Sequence, residues 1–151
     1  MLFRSNTIVL RDGTGATAVG ALTASSVAST GAVTSSSASA GIGYATGAGS
    51  TVTQATSRTT GVTINALCGQ ITLFSTTTTA GTFASFTVTN SAVANTDVVV
   101  ACFDNTPTAN SYGIAVTNIS AGSFRIQIHN IAAVGVAEAP VVSFAVIKAV
   151  T

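Results

Sequence analysis

The run SFRIQIHN, residues 123–130, alternates Phe124, Ile126 and Ile128 with Arg125, Gln127 and His129. A period of two places one set on a buried face and the other in water, as in a half-buried strand. Just before it, YGIAVTNI sets Tyr112, Ile114 and Val116 on one face, and SAGS between the runs reads as a hairpin turn around Ala121 and Gly122. Comparable β-rich runs are TGVTINA at 60–66, GQITLF at 69–74, TFASFTVT at 82–89, DVVVACF at 97–103 and VVSFAVIK at 141–148, with a weaker one at STVTQAT. No segment carries a convincing helical period, so about eight strands are expected in an antiparallel sandwich or barrel. DVVVACF is apolar on both faces, which suits a central strand or one packed beneath another chain.

Up to about Gly49 the sequence changes character. Ser, Thr, Ala and Gly dominate, most densely in VASTGAVTSSSASAG at 27–41, and such small side chains bury too little area to hold a core. The reading is an extended N-terminal arm over 1–50, followed by a β-sandwich domain over 51–151. Leu2, Phe3, Ile8, Val9 and Leu10 give the arm an apolar anchor, and Phe3, Ile8 and Leu10 are the candidate interface residues.

Where the arm meets the sandwich, GIGYATGAGSTVTQATS has glycines at 41, 43, 47 and 49, close to the spacing of a phosphate-binding loop. That chemistry needs a buried strand before the glycines and a helix after them, because the helix N-terminus holds the phosphate. A Ser-rich tract precedes and a β-branched run follows, so turns and close backbone passage are the expected use of these glycines.

Charge is the most unusual part of the composition. Asp, Glu, Lys and Arg make up 6% of 151 residues, against roughly 25% in an average soluble domain. A net charge of +1 supplies little repulsion between copies, and near-neutral surfaces associate. Much of this surface is therefore expected to be covered by other subunits. Arg4, Arg11, Arg58, Arg125 and Lys148 are scattered rather than gathered into the basic stripe that nucleic acid requires, so no nucleic-acid partner is expected.

The start, MLFRSNTIVLRDG, breaks its apolar run at Arg11 and Asp12, short of the roughly 7–15 residues of a secretory signal, which points to synthesis in the cytoplasm. Residues 131–147 are apolar but interrupted by Glu138 and Pro140, and shorter than the roughly 20 residues of a membrane span. No membrane partner is expected.

Few side chains could carry a reaction. His129 is the sole histidine and lies on the wet face of its strand; Asp12, Asp97, Asp104 and Glu138 are the only carboxylates, each beside an expected turn or loop. Cys68 and Cys102 lack a C-x-x-C spacing and would need further ligands to hold zinc. They read as two buried thiols acting as small apolar side chains in a reducing cytoplasm. No enzyme activity, catalytic residue, cofactor or metal is expected.

A resemblance adds to this reading. The stretches GIGYATGAGSTVTQATSRTTGVTIN, GQITL, SFTVTNSAVANTDVVV, AGSFRIQIHN and FAVIKA resemble a family of small virion proteins of tailed bacteriophages, over about the last two-thirds of the chain. The resemblance implies a head decoration, or cement, protein with a jelly-roll-like sandwich. Its partners would be the major capsid protein and further copies of itself, as a dimer or trimer on the outer surface of the head. Binding in many copies to a mature shell would stabilise that shell by mass action. Related segments are also similar to parts of tail-fibre proteins, which implies an alternative: a head- or tail-fibre module that binds a host surface receptor or glycan. Exposed aromatics would serve that role, and Tyr44, Tyr112 and a few Phe are present, most of them better suited to the core.

Overall fold

The computed structural model describes residues 24–105, 108–135 and 137–149. Two units, 24–42 and 43–149, separate in it. Phe3, Ile8 and Leu10 lie outside the described residues. Residues 24–42 are exposed and contain no strand or helix; short local bonds such as Ser35 Oγ donating to the Ala40 carbonyl, 2.6 Å, shape the backbone there.

The second unit is all-β, with ten strands and no helix among the described residues. They are β1 (Gly49–Thr53), β2 (Val62–Thr63), β3 (Cys68–Thr72), β4 (Thr76–Thr77), β5 (Phe83–Thr89), β6 (Val98–Asn105), β7 (Tyr112–Ser120), β8 (Ser123–Asn130), β9 (Ala137–Glu138) and β10 (Val141–Ile147). One four-stranded sheet has the order β1-β3-β10-β6, the other β2-β5-β8-β7, and β4 pairs with β9. The count exceeds the expected eight because β4 and β9, two residues each, have too little pattern to be read.

The expected hairpin is present. β7 and β8 pair antiparallel, with Ser120 opposite Ser123, and Gly122 takes a φ of 81°, a left-handed backbone that glycine adopts without a Cβ clash. An expectation of antiparallel pairing throughout needs correction, because β1 runs parallel to β3 and β2 runs parallel to β5. Gly69 helps to explain the first pair: a Cβ there would lie 2.4 Å from the Ser50 carbonyl oxygen and 2.7 Å from Ile64 Cδ1. Only a residue without a side chain lets β1 run this close to β3.

Alternation decides the interior. Ala84, Phe86 and Val88 of β5 and Phe124, Ile126 and Ile128 of β8 point one way; Ile71 of β3, Val99 of β6 and Val142, Phe144 and Val146 of β10 meet them in one hydrophobic cluster. Phe124 and Phe144 touch across it, ring centroids 5.4 Å apart. Fully burying each large apolar side chain stabilises by about 1.5–3 kcal/mol, so these strands supply most of the cohesion of the unit.

DVVVACF is not central. As β6 it forms one end of its sheet, with Val99 buried and Val98 and Val100 about half exposed. Apolarity on both faces therefore marks an edge strand whose outward face lacks a partner among the described residues.

Candidate interaction surface

Three of the six charged side chains in the described residues are buried: Arg58, Asp97 and Glu138. They are held by local networks that remove them from the surface. Arg58 donates through Nε to the Phe74 carbonyl, through Nη1 to Thr78 Oγ1 at 2.7 Å and to the Tyr112 hydroxyl, and through Nη2 to the Glu138 carbonyl. Its guanidinium also sits 5.3 Å from the Tyr112 ring centroid. Burial pushes the Tyr112 phenol above its ordinary range, against the opposing hydrogen bond from Arg58.

Glu138 is not in ion-pair contact with Arg58. One of its carboxylate oxygens accepts from Thr108 Oγ1 at 2.9 Å, and the other has no partner among the described residues. Gln54 closes the network from the far side, donating to the Thr60 carbonyl at 2.8 Å and accepting the Phe74 N–H. Asp97 accepts the Ala94 N–H at 2.7 Å and pairs with Lys148 at 2.6 Å. The Ala94 bond and then the Lys148 bond hold its carboxyl below the ordinary aspartate value.

What remains outside is largely uncharged. On the outward face of β6 and β10, register sets Val98 beside Ile147, Val100 beside Ala145, and Cys102 beside Ser143. Val98, Val100 and Ile147 are each about half exposed, and a shallow depression of about 180 Å³ runs between Val100, Cys102, Ser143 and Ala145. Asp104, farther along β6, is bound by Gln70 Nε2 at 2.7 Å.

Cys68 and Cys102 share this sheet with β10 between them, Cys68 opposite Ala145 and Cys102 opposite Ser143. Two strand spacings of about 4.8 Å separate their strands, beyond the reach of a disulfide. Both are free thiols, and the expectation that they are buried needs correction: Cys68 is half-buried, and Cys102, on the outward face of the edge strand β6, is exposed.

No family model, curated protein or solved structure matches this chain.

On the opposite sheet, the outward face of β5, β8 and β7 has a different character. Phe83, His129 and Gly113 stand in one cross-strand row, and Ser85, Gln127 and Ala115 in the next. The Phe83 and His129 rings stack with centroids 4.1 Å apart and planes 14° from parallel. Phe83 is 59% exposed. His129 occupies the wet face that alternation assigns to it; Phe83 is the residue that sequence reading misses, because a phenylalanine beginning an alternating strand looks like core.

The remaining candidates are dispersed. Asp97 and Glu138 lie in the separate networks described above, Asp104 lies on β6, and Asp12 falls outside the described residues. Of the two tyrosines available for ring stacking, Tyr112 packs against the core. Tyr44 remains partly exposed and donates its hydroxyl to the Val146 carbonyl.

Proposed function

We propose that this protein is a structural virion protein, a decoration or cement protein that binds the outside of a tailed-phage head and bridges major capsid subunits. The observation that carries the reading is the outward face of β6 and β10, where Val98, Val100 and Cys102 of the edge strand β6 and Ile147 of the adjoining β10 stand exposed without a charge of their own. Interface cores are depleted in charge and filled by side chains of this kind, and an uncovered apolar edge strand associates. The sequence resemblance supplies the identity of the partner. Other copies of the chain are the second partner, as a dimer or trimer.

The body that carries this face is, in the same proposal, a β-sandwich. Support comes from the single hydrophobic cluster shared by the two four-stranded sheets. It is jelly-roll-like in that β1, β2, β3, β5, β6 and β7 alternate between those sheets along the chain. The arm at the N-terminal end would reach across the shell or to a neighbouring copy, with Phe3, Ile8 and Leu10 as its anchors.

A second reading has an observation of its own. The half-exposed Phe83 stacked on His129 favours a head- or tail-fibre module that binds a host surface receptor or glycan, since exposed aromatic rings are common binding platforms. Copy number separates the two. A stained gel of purified virions should show this polypeptide at an abundance comparable with the major capsid protein; a few copies per particle would instead support the fibre.

A further inference from the structure

We propose that the concavity on the outward face of β5, β8 and β7 is a binding site for one neutral sugar ring, a hexopyranose at the end of a glycan. This rests on the receptor-binding reading only for the class of partner. It is independent of contact with the shell, which is assigned to the other sheet.

The concavity is about 220 Å³ and is lined by Phe83, Gly113, Ile114, Ala115, Gln127 and His129. Pockets for drug-sized ligands begin at about 300 Å³, so the space suits a single ring. Its wall is the stacked pair of Phe83 and His129. Apolar C–H groups on one face of a pyranose are attracted to the negative face of an aromatic ring, and the pair holds that ring in place before a ligand arrives.

Polar groups stand where the hydroxyls of such a ring would need them. The ring nitrogens of His129 and the amide of Gln127 are on this face, and among the described residues the Gln127 side chain is bound only by a long 3.4 Å contact from its Nε2 to Ser85 Oγ. Its amide oxygen is free to accept. All of these groups sit on paired strands rather than on a loop, which limits the ordering cost of binding.

Gly113 is the independent observation. It lies inside β7, where glycine weakens a strand, and such a glycine often marks a place where a ligand approaches closely. The fold does not require it: its φ is not positive, and a Cβ there would meet only His129 Cβ and Ile131 Cγ2, both at 3.9 Å, which is ordinary contact. A side chain at 113 would instead project into the concavity and fill it. The missing side chain is thus explained by the space it leaves.

Charge sets the ligand class. Among the described residues no carboxylate shares this face, and its one charged side chain, Arg125, is two rows from Phe83, opposite Thr87 and Thr117. Arg125 is not among the residues that line the concavity. An uncharged ring is what the first two rows fit.

The test titrates the purified full chain, labelled with nitrogen-15, with the methyl glycosides of glucose, galactose, mannose and N-acetylglucosamine, and follows backbone amide shifts. At least one glycoside should bind saturably and move the amides of Gly113, Ala115, Gln127 and His129. Phe83→Ala should weaken that binding about tenfold through loss of the stacking wall, and Gly113→Val should abolish it. Because valine favours strands, Gly113→Val should melt no lower than the natural chain, which separates a filled site from a damaged fold.

Absence of saturable shifts with all four glycosides would overturn the proposal, as would binding that is unchanged in both variants. Binding restricted to acidic sugars, lost in Arg125→Ala and retained in Phe83→Ala, would also overturn it. Adsorption of the protein to host cells, measured in parallel with the same variants, keeps the broader reading separate: adsorption that survives both Phe83→Ala and Gly113→Val leaves a receptor-binding role standing while removing this site from it.

Discussion

Arg58 shows how far a single side chain can depart from what its neighbours in sequence suggest. It follows Ser57 and precedes two threonines in a polar stretch that reads as exposed turn, yet it is buried, and its partners come from Phe74, Thr78, Tyr112 and Glu138. No local pattern announces a convergence of residues 20, 54 and 80 positions away. Arg58→Ala leaves several buried acceptors unpaired, and each costs about 1–3 kcal/mol, so a loss of about 3–5 kcal/mol is expected in urea denaturation. Arg58→Lys should recover only part of it, because an ammonium cannot reproduce the planar fork of donors.

Asp97 makes a prediction about pH. Its carboxyl is lowered in the folded chain by the Ala94 N–H and by Lys148, while the unfolded chain titrates near the ordinary value of about 4. The stabilisation is therefore fully present above about pH 4 and is lost as pH falls through the lower folded-state value. Melting temperature should drop on acidification through this window, and Asp97→Asn should begin lower and drop less. An equal acid dependence in both proteins would remove Asp97 from the explanation.

At the level of strands, alternation identifies the faces but not the neighbours. SFRIQIHN announces β8 with Phe124, Ile126 and Ile128 inward, and all three are buried. The parallel pairings of β1 with β3 and β2 with β5 leave no mark in alternation, since a side chain points to the same face whichever way the adjacent strand runs. For β6 the difficulty is different: a strand apolar on both faces looks the same whether it is central or placed at an edge for a partner, and the structure places it at the edge. Val100→Lys tests the partner. Val100 is exposed, so lysine should change folding stability by no more than about 0.5 kcal/mol, while a charge desolvated in an interface core should prevent association with heads. Undiminished association would relieve this face of the role assigned to it.

Across the whole molecule, scarcity of charge is deepened by where the charges go. With Arg58, Asp97 and Glu138 buried, the described surface is left with Arg125, Asp104 and the Lys148 head group, and the last is engaged with Asp97. Such a surface has little to keep another protein surface away and an apolar strand to draw it in. In the proposed role the protein adheres to a shell and stabilises it through binding free energy alone. Heads assembled without the chain, then saturated with purified protein, test it most directly: they should rupture at a higher temperature than bare heads, and the gain should rise with occupancy until the sites are full. Rupture at the same temperature at full occupancy would contradict the claim.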